Sequence, residues 1–306
     1  MVQPKRVRQT FLDLVHLNSP PDEEREVRRY CREVLREAGF VCQEDAAGNL
    51  IAQRSGPVHT APRIFFAAHM DTVQPTEGIV VREEGGVFRT DGRTILGADD
   101  KAALCEILEG VLILSERKLP HGDLQVVFTV GEEVGLRGAK ALAPEVLAGS
   151  LGFVLDASGP VGSIITAAPS HEMVEATFTG RAAHAGFEPE AGISALQAAA
   201  IAVARMQLGR IDAETTANIG VLQGGTANNI IPETATLRGE ARSHDEDRLR
   251  TQVEHMRACL EEGARAVGAS VDVRTQRIYS AYRLAETDPA PALAARAWTR
   301  CGPPVR

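Results

Sequence analysis

Two adjacent aspartates, Asp99 and Asp100, stand directly in front of an apolar helix and constrain most strongly how this chain can fold. Apolar residues recur at helical spacing after Lys101, namely Leu104, Ile107, Leu108, Val111 and Leu112. Two neighbouring carboxylates beside a core are costly unless a cation or strong donors neutralise them. Aspartate is also a favoured helix cap. The pair therefore indicates either a cap or a metal site.

Three further acidic or histidine clusters also follow apolar runs. They are His69 with Asp71, Glu132 with Glu133, and Asp156. Each cluster alone has an ordinary explanation as a surface pair, a solvated face or a turn cap. In open α/β sheets, however, ligands gather outside the carboxyl ends of the strands. Four clusters placed in this way favour one shared site over four unrelated ones.

The residue types in these clusters suit a divalent cation. Residues two apart in a strand point to the same side, so His69 could bind an ion while Asp71 orients its ring. Glu132 and Glu133 are adjacent and point in different directions, so one could bind an ion while the other reaches a water. Oxygen donors with a single nitrogen suit zinc, manganese or cobalt, and no CxxC pair indicates a structural zinc site.

The order of elements predicts an α/β fold with an inserted domain. Strands and helices alternate over residues 1–167, which is typical of a mostly parallel sheet covered by helices. Residues 168–280 have the order β-α-β-β-α-β, which predicts two helices on a four-stranded sheet. We expect this inserted segment to be a lid or dimerisation domain. Residues 281–306 are expected to return to the first domain, which then ends short of its final strands.

Composition narrows the class of protein. The net charge of −8 and the absence of a basic stripe argue against a nucleic-acid partner. No apolar run is long enough to span a membrane. The five cysteines are scattered and odd in number, which favours a reducing, cytoplasmic location over a disulfide framework.

Two segments carry a resemblance to a known family. Residues 96–102 read LGADDKA and residues 129–135 read TVGEEVG. Together with His69, Asp71 and Asp156, they resemble the dinuclear zinc peptidases of the M20 family. The two segments are similar in sequence to those of its peptidase T-like branch. The resemblance implies a tripeptide aminopeptidase with two divalent ions, zinc with manganese or cobalt as alternatives. It also implies a cis peptide bond between Asp99 and Asp100.

The resemblance further implies a role for each site residue. Asp99 would bridge the two ions, and His69 and Asp156 would complete the first. Glu133 would bind the second ion. Glu132 would be the general base, and Asp71 would orient the ligands without binding an ion itself.

In the inserted domain, His184, Asn229 and Arg242 match residues that hold the substrate in relatives. In some relatives the matching histidine acts across a dimer, so the resemblance implies a homodimer through this domain. Relatives place one further histidine near their C-terminus as the last ligand of the second ion. The 306-residue sequence has none there. We therefore expect weak occupancy of the second metal position in this chain.

Two other functions stay open from the sequence. The same water attack serves any amide, so a deacylase or carbamoylase acting on N-acyl amino acids is one alternative. A catalytically silent, dimerising scaffold is the other. A serine hydrolase, a HExxH protease and a P-loop nucleotide-binding protein are disfavoured, because the chain contains no GxSxG, HExxH or GK[ST] motif.

Overall fold

The computed structural model describes residues 1–147 and 150–301. The chain divides into two compact units: unit 1 is Met1–Ser163 together with the chain from Ala292 onward, and unit 2 is Ile164–Pro291. Each unit has its own hydrophobic core. The predicted fold class, α/β with an inserted α+β segment, is confirmed.

Unit 1 alternates helices and strands for most of its length. Its elements are α1 Pro4–His16, α2 Arg25–Glu37, β1 Val41–Glu44, β2 Leu50–Arg54, β3 Arg63–His69, β4 Val81–Glu84, β5 Val87–Thr90, α3 Ala98–Glu116, β6 Leu124–Thr129, α4 Arg137–Ala141 and β7 Ser150–Val154. A 3₁₀ turn, Pro144–Leu147, precedes β7. Strands β4 and β5 form a separate hairpin; the polar sequence predicts one over residues 85–94, and the observed hairpin begins and ends four residues earlier.

Five strands of unit 1 form one sheet in the order β1-β2-β6-β3-β7. Strand β3 runs parallel to both β6 and β7, whereas β1 with β2 and β2 with β6 are antiparallel. Residues Leu124–Phe128 of β6 are all buried, as expected for a central strand covered on both faces. Because β3, β6 and β7 are parallel, their carboxyl ends lie at the same edge of the sheet.

The helices of unit 1 bury one stripe each. In α2, Val27, Cys31 and Leu35 are spaced by four residues and are fully buried. In α3 the buried face includes the ammonium group of Lys101, which has no exposed surface and donates to the carbonyl of Leu17 at 2.6 Å. Burial lowers the pKa of Lys101 to about 8. This amine therefore ties the start of α3 to the end of α1.

Unit 2 contains a second sheet and two long helices. Its elements are β8 Ala167–Ala168, β9 Ser170–Thr179, α5 Ala195–Arg205, β10 Gly209–Arg210, β11 Thr215–Gly224, β12 Thr234–Ser243, α6 Glu246–Val267, β13 Ser270–Tyr279 and β14 Tyr282–Arg283, and a last helix, α7 Pro289–Cys301, continues into unit 1. The main sheet has the order β10-β11-β12-β9-β13. It has five strands rather than the predicted four, because the two-residue strand β10 is too short to show a pattern in the sequence.

Helix α6 shows why the periodic segments were predictable. Asp245 caps it by accepting from the backbone N–H groups of Asp247 and Arg248, both at 2.9 Å, and Gly268 ends it at φ 77°. The three- and four-residue spacing of Leu249, Val253, Met256 and Leu260 predicts a helix over residues 247–267, which differs from the observed helix by a single residue. Among the described helices, none combines the length and apolar character needed to cross a bilayer.

Candidate metal centre

The predicted ligands of unit 1 converge on the edge where β3, β6 and β7 end. His69 is the last residue of β3 and pairs with Thr129, the last residue of β6. Glu132 and Glu133 lie in the turn after β6. Asp156 follows β7, and the strand pairing is continued by the N–H of Leu155, which donates to the carbonyl of Ala67 at 3.0 Å.

Asp99 and Asp100, in the first turn of α3, have side chains in different environments. Both have non-helical backbone angles, and the bond between them is cis, as the family resemblance implies. The side chain of Asp99 is 73% exposed and approaches Nε2 of His69 at 3.0 Å. Asp100 is buried and accepts from the backbone N–H of His69 at 3.3 Å. Their hydrogen bonds thus go to His69 rather than to the N–H groups of α3.

The converging side chains form two groups of possible ligands. Donor atoms of His69, Asp99 and Asp156 lie within 4.8 Å of one another, and so do those of His69, Glu132 and Glu133. His69 is common to both groups. The structure therefore brings together all five residues that the sequence predicts as ligands or general base, within one cluster at the sheet edge.

Asp71 contacts both His69 and the turn of Glu132 and Glu133, and one of its carboxylate oxygens lies 3.4 Å from Nδ1 of His69. Its carbonyl oxygen is 2.8 Å from Nδ1 of His69, and its carboxylate oxygens accept from the backbone N–H groups of Glu132 and Glu133 at 2.9 and 3.0 Å. Burial opposes its charge, but the hydrogen bonds from His69 and from these two N–H groups together lower the pKa of Asp71. Asp71 thus orients the imidazole and also holds the Glu132–Glu133 turn.

The carboxylates of the cluster repel one another. Burial raises the pKa of Asp100 to about 8, and the charges of Asp156 and Asp99 add to this shift against the opposing effect of His69. Burial, reinforced by the neighbouring acids, also raises the pKa of Glu132, Glu133 and Asp156.

The same negative charges favour the charged form of His69. Burial favours its neutral ring, but the hydrogen bond to Asp71 and the charge of Asp100 outweigh burial and raise the pKa of His69 to about 10. A half-buried cluster of acids with one imidazole has the donor set that divalent cations bind, and the cation would cancel the repulsion between the acids. The residues present therefore fit a divalent metal.

Two of the predicted substrate-binding residues lie side by side in unit 2. The loop of His184 pairs with that of Asn229: His184 forms a bridge with Ile230, and the N–H of Ala185 donates to the carbonyl of Asn229 at 2.9 Å. Nδ1 of His184 accepts from the N–H of Gly186 at 3.1 Å. In the neutral ring, Nε2 then carries the proton and is a donor.

The third residue, Arg242, lies at the other end of the same sheet. Its guanidinium makes two contacts with Glu240, at 3.0 and 3.1 Å, and one with the hydroxyl of Tyr279 at 3.3 Å. In β12, Thr234 pairs with Thr179 close to the two loops, whereas Arg242 pairs with His171. Eight residues of extended strand separate Thr234 from Arg242, which is roughly 26 Å.

Sequence reasoning missed other contributors to these sites. Phe187 is 85% exposed, and its ring centroid lies 4.4 Å from that of His184. A lone aromatic residue in a polar loop was a usable signal for it. Glu24 is buried and accepts from the N–H of Gly131, immediately before the Glu132–Glu133 turn. No local pattern marks Glu24, because its contact spans 107 residues of sequence.

Comparisons with known proteins agree with this geometry. Residues 170–267 match the peptidase dimerisation domain, and residues 88–161 match the M42 glutamyl aminopeptidase family. The uncharacterized protein YqjE of Bacillus subtilis is 41% identical over 99% of this chain and 84% of its own length. A tripeptidase from Staphylococcus aureus is 36% identical over 99% of this chain and 83% of its own, with a TM-score of 0.93. The aminopeptidase PepT from Bacillus cereus is 38% identical over 98% and 83%, with a TM-score of 0.88.

The fold and the clustered ligands define a hydrolase of the peptidase class. More particularly, the chain belongs to the M20 family of peptidases, as the sequence resemblance predicts.

Proposed function

We propose that the chain hydrolyses a peptide bond in short peptides with a free N-terminus, with tripeptides as the first class to test. The observation that supports this most is the convergence of His69, Asp99, Asp156, Glu132 and Glu133 at one sheet edge. The tripeptidase and PepT structures that resemble the chain over nearly its whole length support the choice of substrate.

The proposed cofactor is a pair of divalent ions, zinc in the first place, with manganese and cobalt also fitting the donors. Asp99 would bridge the pair, His69 and Asp156 would hold one ion, and Glu133 would hold the other. Burial raises the pKa of Glu133, and the negative charge of Asp99 adds to this shift. Such ions lower the pKa of a bound water toward about 7 and polarise a carbonyl.

The chain's own residues would carry the proton transfers. Glu132 would take the proton of the attacking water and give it to the leaving amine. Asp71 fixes the backbone of Glu132 and Glu133 and orients the ring of His69, so the base and the ligands share one rigid support. Asp71 and His69 are themselves buried, so the support is shielded from bulk water.

Substrate binding is proposed for His184 and Asn229 at one end of the unit 2 sheet and for Arg242 at the other. An extended tripeptide spans only about 10 Å. It cannot span the roughly 26 Å of strand β12 that separate Thr234, close to the loops of His184 and Asn229, from Arg242. We therefore propose a homodimer through unit 2 in which one chain supplies Arg242 to a substrate and the other supplies His184 and Asn229. The matched dimerisation domain supports this arrangement.

This arrangement predicts complementation between two inactive variants. We expect His184→Ala and Arg242→Ala each to lose most activity as homodimers. After subunit exchange at equal amounts, half of the dimers are mixed, and each has one intact site, so about a quarter of wild-type activity should return. Peptide hydrolysis of the mixture, with each variant alone as the control, measures this. If the mixture stays as inactive as its components, the proposal that two chains share each site is wrong.

Metal dependence and substrate class can be tested together. We expect a chelator to abolish tripeptide hydrolysis, and zinc, manganese or cobalt to restore it, because no other described group at the site polarises the carbonyl. Tripeptides and N-acylated amino acids should be assayed in parallel. Faster turnover of the N-acyl compounds would favour a deacylase, and no turnover of either by metal-loaded protein would favour a silent scaffold.

The proposal also includes a reducing, cytoplasmic location. Cys31, Cys42, Cys105 and Cys259, the four cysteines described in full, are all free thiols, which is consistent with it.

A further inference from the structure

One segment of unit 1 contacts three of the four stretches of chain that carry the predicted site residues, namely those of Asp71, Asp99 and Glu132. This segment, residues 17–24, connects α1 to α2. The carbonyl of Leu17 accepts from the buried ammonium of Lys101, at the start of α3, and the carbonyl of Ser19 accepts from the N–H of Thr72, directly after Asp71. Glu24 makes the third contact, to Gly131.

Glu24 stands at the N-terminus of α2 but does not cap that helix. Its side chain is turned away from the helix, and Oε1 accepts from the N–H of Gly131 at 3.0 Å and from that of Asp22 at 3.2 Å. Glu24 is only 3% exposed, and no lysine or arginine of the described chain lies in ion-pair range of it. A carboxylate buried without a cation depends on its hydrogen bonds, so loss of the contact with Gly131 would be costly.

The contact of Glu24 completes a run of three backbone donors. The N–H groups of Gly131, Glu132 and Glu133 are held in succession by Glu24, by Oδ1 of Asp71 and by Oδ2 of Asp71. Gly131 has a φ of 59°, so the chain reverses there in a conformation that costs other residues energy. Two buried carboxylates, from separate parts of the sequence, thus determine where the turn lies.

We infer that Glu24 is a positioning residue for Glu132 and Glu133, acting through the N–H of Gly131. The inference rests on the proposed roles of those two glutamates. Glu24 contacts neither a proposed ligand side chain nor the substrate groups; it determines where the backbone presents them. Loss of the acceptor should let the turn shift, and hydrogen-bonding supports of metal ligands typically change affinity or activity by about 10- to 100-fold.

The test compares Glu24→Gln with Glu24→Met, which are similar in size. Glutamine keeps a carbonyl oxygen that can accept from Gly131, whereas methionine offers no comparable acceptor. Glu23→Met is the matched control, because Glu23 is adjacent and exposed. We expect E24M to lower kcat by about 10- to 100-fold with KM little changed, and to weaken Zn²⁺ binding by a similar factor. E24Q and E23M should remain close to wild type.

Hydrogen–deuterium exchange of the metal-free proteins gives a readout that does not depend on activity. We expect E24M to exchange faster at residues 131–133 and at Asp22, whose N–H Glu24 also holds, with α3 unchanged, and E24Q to exchange like wild type. The inference is overturned if E24M leaves exchange and kcat unchanged, or if E24Q is as damaged as E24M. It is also overturned if E24M fails to fold while E24Q folds, since Glu24 would then support the fold as a whole. If wild type cleaves no peptide but E24M still loosens the turn, the proposed function fails and the positioning role stands.

Discussion

Replacing Glu132 by glutamine is expected to lower kcat for tripeptide hydrolysis by about 10²- to 10⁴-fold, the usual contribution of a positioned general base. Glutamine has nearly the same shape but cannot accept the proton of the attacking water. The hydrogen bond that positions residue 132 should be retained in this variant, because Asp71 accepts from the backbone N–H and not from the side chain. The loss should therefore be chemical rather than structural.

The measurement pairs steady-state kinetics with metal content. Glu132 lies in the same ligand group as Glu133 and His69, so geometry alone allows it to be a ligand as well as a base. If E132Q keeps its metal and loses kcat, Glu132 is the base. If it loses metal with its activity, the role assigned to it is wrong. Glu145→Gln, on the exposed 3₁₀ turn before β7, is the control for a neutralised glutamate.

Replacing Asp99 by asparagine should abolish tight metal binding, and activity with it. The carboxylate of Asp99 is in the ligand group with His69 and Asp156, and the proposal assigns it to both ions. An amide is neutral and a poor ligand, so affinity should fall by more than the factor of about 100 that loss of a supporting residue can cause. Because Asp99 is 73% exposed, the free energy of unfolding of the metal-free protein should change by no more than about 0.5 kcal/mol.

Asp100→Asn is the informative control for this variant. The two residues are neighbours, but Asp100 is buried and faces the backbone N–H of His69. Asparagine can accept the same hydrogen bond, so D100N should keep its metal. Isothermal titration with zinc, together with thermal unfolding without metal, measures both variants. Tight binding by D99N and its loss in D100N would reverse the assignment of the adjacent carboxylates.

Residue patterns were sufficient for the features that depend on neighbours in sequence. The three- and four-residue spacing of α6 predicted its length, because a helix buries one face at that period whatever lies opposite. The apolar run before His69 predicted a strand end, and parallel strands bring their ends to one edge, so the cluster of His69, Glu132 and Asp156 followed from general rules. The particular roles of these residues came from family resemblance.

The antiparallel half of the first sheet and the short strand β10 were not predictable in this way. Pairing of β2 with β6 joins residues 70 to 78 positions apart, and β10 has only two residues. Neither pairing produces a periodic pattern of residues in the sequence.

The sequence alone determined which side chains form the site and which strand ends they follow. Local periodicity and residue type decide both. Tertiary structure alone decided how those groups are supported and shared. The contact from Glu24 to Gly131 joins residues 107 positions apart, and the register of β12 places Arg242 at the end far from Thr234. Such relations link distant residues through backbone atoms, which every residue type carries, so side-chain identity does not reveal them.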